Sequence, residues 1–396
     1  MDIAALRQDT PGCANRIHLN NAGAGLMSRR TLAAVTGHLE LEAAIGGYEA
    51  AGQAEAQVAA TYASIAELIG GRPGEIALFA NSTQAWHAAF GSVRLRPGDR
   101  ILTGHAEYGS NVLSYLQAAR RAGAEIAVVP DDESGQLDTA ALAAMIDSRT
   151  SLVGVTHVPT GGGLVNPAAE VGRITRAAGV PFLLDATQSV GQFPVDVNEI
   201  GCDMLTSTGR KFLRGPRGTG FLWVRTGALE SLDPPVVEID SAVWDGRHGF
   251  RWFDGARRFA TWEMSYANVL GLHAAVRQAL ELGLPQIGER ARALGAALRA
   301  RLAGVPGVTT HDLGTDRCAI VTASVAGAAA ADAAAALARH GINVTTTEPA
   351  GAPYEAGRGA HPLVRLSPHY YNTEAELDRA VEVMAAVARA SVPPAG

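Results

Sequence analysis

The chain has 396 residues, of which 47% are hydrophobic and 18% are charged, and its formal net charge is −6 at pH 7. This length exceeds what a single core usually supports, so we expect a large domain at residues 16–264 and a small domain made of residues 1–15 and 265–396. The negative net charge argues against nucleic-acid binding, which needs a broad basic face, and favours a small-molecule partner.

Apolar runs in the chain are broken before about 18 residues accumulate, which argues against a transmembrane helix and a membrane partner. The N-terminus lacks the basic flank and apolar run of a secretion signal, so we expect a cytoplasmic protein. The three cysteines, Cys13, Cys202 and Cys318, lie far apart and form no CxxC pair. Their spacing argues against a disulfide framework and a thiolate metal cluster, and we expect no metal site.

Short apolar runs alternate with helical stretches from Glu75 to Val224, at the spacing of βα units. This pattern predicts an α/β fold with a mostly parallel sheet. The predicted strands lie at 76–80, 100–104, 125–130, 151–157, 181–185, 203–208 and 218–224.

The remaining third of the chain has a different pattern. Residues 266–301 predict one or two helices, and the Ala-rich segment near 327–339 predicts a helix that ends at Gly341. A final helix is predicted from Glu374. Strands are predicted for the segments VTTHDL, AIVTASV, INVTTT and LVRLS. Together these elements predict a smaller α+β domain.

Two candidate chemical residues follow predicted strands. Asp185 ends the strand PFLLD, with Gln188 three residues later, and ligands of open α/β sheets bind at such carboxyl ends. An isolated aspartate at this position more often caps the next helix. Lys211 follows the strand DMLTST, after Thr208 and Arg210. A lone lysine is usually solvated, but pyridoxal phosphate (PLP) chemistry needs a lysine of lowered pKa opposite a carboxylate, and these two residues fit those roles.

A third segment, Asn81-Ser82-Thr83, stands where a strand breaks and a helix is predicted to begin. The first turn of a helix offers free backbone N–H groups to a phosphate. An ordinary N-cap explains this segment equally well when it is taken alone. Its combination with Asp185 and Lys211 favours a phosphate site.

In this combination the sequence resembles the class V aminotransferase-like group of fold-type I PLP enzymes, which includes cysteine desulfurases, C–S lyases and isopenicillin-N-epimerase-like proteins. The resemblance implies the aspartate-aminotransferase-like fold, PLP as cofactor, an amino-acid substrate and a homodimer. It extends over nearly the whole chain, through LNNAGAG (19–25), GGY (46–48), AEYGSN (106–111), DATQSVGQ (185–192), GRKFLRGPRGTGFL (209–222) and RLSPHYYNT (365–373).

The resemblance also implies a role for each matching residue. Lys211 would bind PLP as a Schiff base and move the Cα proton of the substrate, and Asp185 would pair with the pyridine nitrogen. Gln188 would donate to the phenolate oxygen, and Tyr108 would stack on the ring. The phosphate would be held by residues from two segments, Ser82, Thr83, Thr208 and Arg210.

Three further residues are candidates for binding the substrate. Arg365 would take the α-carboxylate as a bidentate fork. Asn21, beside Asn20, stands where relatives bring the N-terminal segment over the site, although Asn beside Gly is also ordinary turn chemistry. His157 matches a position near the cofactor, and a satisfied half-buried histidine is an equally good alternative.

Departures from the family pattern bear on the reaction. Desulfurases carry a nucleophilic cysteine on a small-domain loop, but the matching segment 345–367 contains none, and Cys318 lies in an apparent strand. Persulfide-forming desulfuration is therefore not expected. Thr160 replaces an Asn that is common beside the cofactor of desulfurases. Glu263 stands near where a partner subunit often supplies a phosphate-binding Thr.

We therefore predict a C–S lyase that performs β-elimination on a sulfur-substituted cysteine and releases pyruvate, ammonia and a thiol or sulfenate. Amino-acid epimerisation or transamination is the alternative, because the same cofactor serves each reaction. A PLP-binding protein without turnover is a minor alternative. The aromatic- and Arg-rich segment 241–263 has the composition of an interface, and we expect it to face the substrate or a second subunit rather than form a core strand.

Overall fold

The computed structural model describes residues 1–356 and 360–391. Its α-helices within these residues are α1 (Ile3–Gln8), α2 (Arg29–Ile45), α3 (Gly47–Ile69), α4 (Ser82–Gly91), α5 (Gly109–Ala122), α6 (Thr139–Met145), α7 (Ala168–Ala178), α8 (Val197–Ile200), α9 (Tyr266–Leu282), α10 (Leu284–Ala303), α11 (Ala330–Arg339), α12 (Pro353–Ala356) and α13 (Glu374–Ser391). Its strands are β1 (Ile17–His18), β2 (Ile76–Phe79), β3 (Arg100–Thr103), β4 (Glu125–Val128), β5 (Thr150–Thr156), β6 (Phe182–Asp185), β7 (Met204–Thr208), β8 (Gly220–Val224), β9 (Ala242–Trp244), β10 (Phe250–Trp252), β11 (Val308–Thr310), β12 (Val321–Val325), β13 (Ile342–Asn343), β14 (Thr345–Thr346) and β15 (Val364–Leu366).

The largest sheet has seven strands in the order β2-β8-β7-β6-β5-β3-β4. Strands β3 to β7 run parallel, whereas β8 is antiparallel to both of its neighbours, β7 and β2. These are the seven strands that the apolar runs predict, with ends that differ by up to two residues. The predicted α/β fold with a mostly parallel sheet is therefore confirmed, and the antiparallel β8 is an addition to it.

The central strands are buried on both faces because helices cover the sheet from both sides. Side chains of β6 alternate between these faces, as extended backbone requires. Leu183 packs with Trp86 of α4 and Tyr115 of α5, whereas Phe182 and Leu184 belong to the core cluster on the opposite face. This double cover explains why the strands that carry the candidate site appear in the sequence as continuous apolar runs.

A second, four-stranded antiparallel sheet has the order β11-β12-β15-β14 and shares a hydrophobic cluster with α10, α11 and α13. The N-terminal segment joins this part of the chain, since β1 pairs with β13 and Leu19 is fully buried in the same cluster. The predicted helical stretch 266–301 forms two helices that meet at Gly283, where φ is +81°. The division into domains at residues 15/16 and 264/265 stays a prediction.

Two features were not predicted. Residues 29–69 form the long helices α2 and α3, for which the sequence analysis proposed no element. Cys318 lies just before β12 rather than inside a strand, and it is fully buried.

None of the helices in the described part of the chain is long and apolar enough to cross a membrane.

Arg214 connects three parts of the chain beside the Lys211 loop. Its guanidinium donates to the carbonyl oxygen of Leu26 (2.7 Å), to Thr10 Oγ1 (2.6 Å) and to the Tyr370 hydroxyl. Its backbone adopts the left-handed region at φ +62°, which is unfavourable for a residue with a Cβ atom. The buried hydrogen bonds of Arg214 therefore hold the N-terminal segment and the segment after β15 against the candidate site.

Candidate active site

The eight residues predicted to bind the cofactor line one cleft at the carboxyl ends of β5, β6 and β7, whereas the predicted substrate residues Arg365, Asn21 and His157 are not among its lining. Parallel strands end at the same edge of a sheet, so the residues that follow them converge there. Residues from the first turn of α4 and from the start of α5 complete the walls. The cleft is lined by Asn81, Ser82, Thr83, Tyr108, Thr156, Val158, Thr160, Asp185, Thr187, Gln188, Thr208, Arg210 and Lys211.

Lys211 lies three residues beyond β7 and is 8% exposed. Burial lowers its pKa to about 7, and the positive charges of Arg210 and Arg365 act in the same direction, whereas Asp185 opposes them. Its amine is therefore largely neutral, and thus nucleophilic, slightly above neutral pH. Lys211 is also the one lysine in the sequence, in which the other 32 of 33 Lys and Arg residues are arginines.

That solitary lysine is a sequence signal for a chemical role. Arginine meets every other need for a positive side chain in this protein, but a guanidinium of very high pKa is not available as a neutral amine nucleophile. The position at which the chain retains lysine is the one where the fold lowers the amine pKa. The single lysine in the composition therefore marks this position independently of the motifs around it.

Asp185 ends β6 and presents a carboxylate into the cleft. Its Oδ1 atom accepts a hydrogen bond from the Thr187 N–H group (2.9 Å), and its Oδ2 atom accepts one from Asn111 Nδ2 (3.1 Å). These two donors fix the plane of the carboxylate. Asp185 therefore fits the role of an anion that pairs with a protonated ring nitrogen.

The first turn of α4 forms the end of the cleft that would receive a phosphate. Asn81 caps the helix by accepting from the Gln84 N–H group (2.9 Å), and Ser82 and Thr83 occupy the first two helical positions. A Cβ atom at Gly220 would lie 2.5 Å from the carbonyl carbon of Asn81, so the close approach of α4 to β8 requires glycine there. The free N–H groups and the dipole of this turn suit an anion.

Thr208 and Arg210 lie beside the same turn. Arg210 is half-buried and donates one N–H to the carbonyl oxygen of Gly23, and burial and the charge of Arg217 lower its pKa. Thr208 Oγ1 donates to the Thr219 carbonyl oxygen (2.8 Å), so its hydroxyl must rotate before it can donate to a phosphate. Gly23 and its neighbours thus bring the N-terminal segment against the candidate phosphate site.

Thr160 and Gln188 line another wall, and Arg365 contacts Thr160. Thr160 Oγ1 accepts from Arg365 Nη1 (2.7 Å) and from Gln188 Nε2 (3.2 Å). Arg365 is 7% exposed, and burial together with the charge of Arg210 lowers its pKa to about 10. It also donates to Asn20 Oδ1 (3.3 Å). Thr160, the departure from the desulfurase pattern, therefore holds both the candidate carboxylate-binding arginine and the candidate phenolate donor.

Tyr108 directly precedes α5 and is 38% exposed. The other ring predicted for the site, that of His157, is only 7% exposed. Tyr108 is one of the residues that line the cleft. A partly open position suits a ring that stacks on a flat ligand. Its predicted role in stacking stays a prediction.

His157 is the first correction to the predicted site. Side chains alternate along the extended segment after β5, so Thr156 and Val158 line the cleft whereas His157 points to the other face. Its Nδ1 atom bonds to Ser189 Oγ (3.0 Å), and burial lowers its pKa to about 4. The structure therefore favours the alternative, a neutral histidine satisfied within the core.

Asn21 is the second correction. It is fully buried, and its amide donates to the Ser367 carbonyl oxygen (2.8 Å) and accepts from the Tyr371 hydroxyl (2.5 Å). These contacts turn it away from the cleft, and its neighbour Asn20 contacts Arg365 instead. The predicted substrate contact at Asn21 is replaced by a structural role.

Sequence reasoning also missed a buried carboxyl group. Glu107 is 2% exposed and lies behind Tyr108, where Asn111 Nδ2 donates both to its Oε1 atom (2.9 Å) and to Asp185. Burial raises the pKa of Glu107 to about 7. Its position after a predicted parallel strand, directly before Tyr108, was an available signal.

The three cysteines lie outside the residues that line the cleft. Cys202 and Cys318 are fully buried, Cys13 is half-buried, and all three are free thiols. Burial raises the pKa of each, to about 11 for Cys318, so each favours its unreactive thiol form. Residues 357–359 of the segment 345–367 lie outside the described residues, and they contain no cysteine.

The buried polar atoms of the cleft fit PLP. Gln188 Oε1, Thr187 Oγ1 and Arg365 Nε are buried without a hydrogen-bond partner in residues 1–356 and 360–391. Buried polar groups are nearly always paired, so orphaned atoms around one cleft point to a polar ligand. Arg210, Lys211 and Arg365 supply positive charge for a phosphate and a carboxylate, and Asp185 supplies the anion for a ring nitrogen.

Comparison with known proteins identifies the family. The family model described as aminotransferase class-V matches residues 17–380. The chain belongs to the class V aminotransferase family. It is therefore a PLP-dependent enzyme with the expected fold, and the resemblance seen in the motifs is confirmed.

Individual relatives of the class V family extend this comparison. A probable cysteine desulfurase of Methanothermobacter thermautotrophicus is 27% identical over 97% of each chain. The structure of the cysteine desulfurase CsdA of Escherichia coli has a TM-score of 0.91 at 22% identity, covering 99% of this chain and 100% of that one. The cystine C–S lyase C-DES, solved with its product cysteine persulfide, has a TM-score of 0.86 at 23% identity, covering 95% and 99%.

The lowered pKa of Lys211 gives a direct prediction for the cofactor-free protein. Because the chain has one lysine, labelling with ¹³C-lysine yields a single Cε signal in an NMR titration. We expect a midpoint near pH 7 rather than the ordinary 10.5, with the amine protonated below the midpoint and neutral above it. Arg365→Met should move the midpoint to higher pH, since it removes one of the neighbouring charges. A midpoint near 10 in the unaltered protein would contradict the site's electrostatics.

Proposed function

We propose that this enzyme is a C–S lyase that eliminates the sulfur substituent from an S-substituted cysteine. With water, the reaction yields pyruvate, ammonium and a thiol. The names of its relatives, cysteine desulfurases and a cystine C–S lyase, support cleavage of a C–S bond in a cysteine-type amino acid. The roles of individual residues below belong to the same proposal.

Lys211 supplies the base. Its neutral amine would accept the proton from the substrate Cα. A base works best when its pKa lies near the working pH, and the pKa of about 7 meets this condition. PLP, when bound, supplies the electron sink for the bond that breaks at Cα.

Arg365 and Asp185 orient the reacting groups. The free Nε atom of Arg365 and its neighbouring Nη2 form one edge of the guanidinium, which can grip the substrate α-carboxylate through two hydrogen bonds. Thr160 holds the opposite Nη1 atom and so fixes the plane of the fork. Asp185, held by Thr187 and Asn111, would pair with the ring nitrogen of bound PLP.

The positions of the three cysteines favour a lyase over a desulfurase. A desulfurase needs a thiolate that attacks the substrate sulfur, whereas the three thiols here lie outside the cleft and favour the protonated form. An elimination needs no such nucleophile. A thiolate also leaves without an acid catalyst, because the pKa of an ordinary thiol, about 8.5, is close to neutral.

The experiment supplies L-cystine or an S-alkyl cysteine to the PLP-loaded enzyme and measures pyruvate, ammonia and alanine. We expect pyruvate and ammonia in equal amounts. A triple variant, Cys13→Ser with Cys202→Ala and Cys318→Ala, should change the rate by no more than about threefold, since buried structural thiols are inert. Lys211→Ala should lower the rate by roughly 100- to 10,000-fold, the contribution of a positioned base.

Other products would contradict the lyase proposal in distinct ways. Alanine, with activity lost in the triple cysteine variant, would identify a desulfurase. A keto acid that retains the sulfur substituent would identify an aminotransferase, and loss of optical rotation without either product an epimerase. Intact substrate in every assay, despite bound PLP, would favour a binding protein without turnover.

We further propose that the enzyme is a homodimer whose second subunit completes the site. Within residues 241–263, β9 and β10 form a hairpin in which Trp244 is 71% and Phe250 is 51% exposed, and Trp262 beyond the hairpin is 58% exposed. Exposed aromatic groups of this size are typical of interfaces. A broad cleft next to them includes Gln84 of α4 and Glu263, so a partner segment seated there would reach the phosphate end.

The cytoplasmic location also stays a prediction.

Sedimentation over a range of concentrations tests this interface. We expect a dimer for the unaltered enzyme and a dissociation constant about 10- to 100-fold higher for Trp244→Ala with Phe250→Ala, the size of effect typical of aromatic hot spots. Leu313→Ala, a change at a side chain that is 52% exposed between β11 and β12, is the matched control and should leave the constant unchanged. A monomer at all concentrations would contradict the proposal.

A further inference from the structure

Glu107 forms the centre of a buried polar network behind the cleft. Its Oε1 atom accepts from three donors, the Tyr108 N–H group (2.8 Å), Asn111 Nδ2 (2.9 Å) and the Thr156 hydroxyl. Its Oε2 atom accepts from Thr103 Oγ1 (3.0 Å). One carboxylate therefore ties together the end of β3, the start of α5 and the end of β5.

The network reaches the cofactor site by two routes. Asn111 uses one Nδ2 hydrogen for Glu107 and the other for Asp185, so the Glu107 carboxylate fixes the amide that orients Asp185. The second route is the backbone of Tyr108, whose ring lines the cleft. A shift of Glu107 would therefore move two groups that are assigned to the cofactor ring.

The cost of burying Glu107 argues for a role beyond packing. A carboxyl group that is 2% exposed is expensive to ionise, and burial raises its pKa to about 7 despite the hydrogen bonds from Thr156 and Asn111, while the charge of Asp185 raises the pKa further. Tyr115 on α5 and Tyr354 on α12 are further titratable groups near this carboxyl. An apolar side chain would pack here without placing a second carboxyl beside Asp185.

We propose that Glu107 is a positioning residue that holds Asp185, through Asn111, and the Tyr108 backbone in the geometry that the PLP ring requires. The contacts of Glu107 also allow the position of its side chain and its charge to be tested separately. Three donors converge on Oε1, whereas Oε2 meets a hydroxyl that can accept as well as donate. Glutamine fits this arrangement, with its oxygen in place of Oε1 and its amide donating to Thr103.

Two substitutions at position 107 form a matched pair for the test. Glu107→Gln removes the charge and keeps the side-chain length, whereas Glu107→Asp keeps the charge and withdraws the carboxyl from its donors. The readouts are the dissociation constant of PLP, from titration of the cofactor-free protein, and the circular dichroism of the bound cofactor. We expect Glu107→Gln to bind PLP within about threefold of the unaltered protein, and Glu107→Asp to bind it roughly 10- to 100-fold more weakly, as for lost hydrogen bonds to a charged group.

A double-mutant cycle tests the route through Asn111. Asn111→Ala alone should weaken PLP binding, and adding Glu107→Asp to it should cost much less than Glu107→Asp costs alone, because the shared contact is already lost. Thr103→Val removes the donor to Oε2 and leaves the Oε1 contacts with Asn111 and Tyr108 in place, so it is the control and should leave PLP affinity within about threefold.

Three results would overturn the proposal. They are Glu107→Gln binding PLP as weakly as Glu107→Asp, Glu107→Asp binding PLP as tightly as the unaltered protein, and additive effects of Glu107→Asp and Asn111→Ala. If Glu107→Asp does not fold, Asn111→Ala with unchanged PLP affinity and dichroism also overturns it. The inference rests on the proposed residue roles at the cofactor site, but its readouts do not depend on the substrate, so a failed lyase assay and a failed titration remain distinguishable.

Discussion

The site depends on three positively charged side chains that the fold holds close together, and this charge must be balanced. Arg210 and Arg365 both lie close enough to lower the pKa of Lys211, Arg210 also lowers the pKa of Arg365, and Asp185 is the opposing carboxylate in the lining. Such a cluster is costly in a folded protein unless anions compensate it. Under the proposed function, a phosphate at the α4 end and a substrate carboxylate at Arg365 would provide that compensation, so the charges that lower the amine pKa would also bind the cofactor and the substrate.

The scaffold meets this constraint by joining rigid elements at one edge. Parallel strands deliver Asp185 and the Lys211 loop, Gly220 lets α4 approach β8, and Arg214 holds the N-terminal segment and the segment after β15 against them. The small sheet contributes Arg365 on β15. Because each group sits at the end of a packed element, the cleft is shaped before any ligand enters, which lowers the entropic cost of arranging the reaction.

A feature of this protein could be predicted from the sequence when its cause lies within a few neighbouring residues. The strands and the positions of Asp185 and Lys211 in the cleft were accessible because apolar runs and the residues after them are local signals. The directions in which the His157 and Asn21 side chains point could not be predicted. They depend on irregular backbone and on contacts with the distant residues Ser189 and Tyr371. Glu107 depends on donors from three separate elements, which no sequence window contains.

The most direct test of the central claim is to reduce the PLP-loaded enzyme with borohydride, digest it and locate the attached group by mass spectrometry. The account predicts one pyridoxyl group per chain on the peptide that contains Lys211, the one lysine in the sequence. PLP that is bound but not fixed by reduction, or that is fixed at the N-terminal amine, would contradict the assignment of this cleft as the catalytic site.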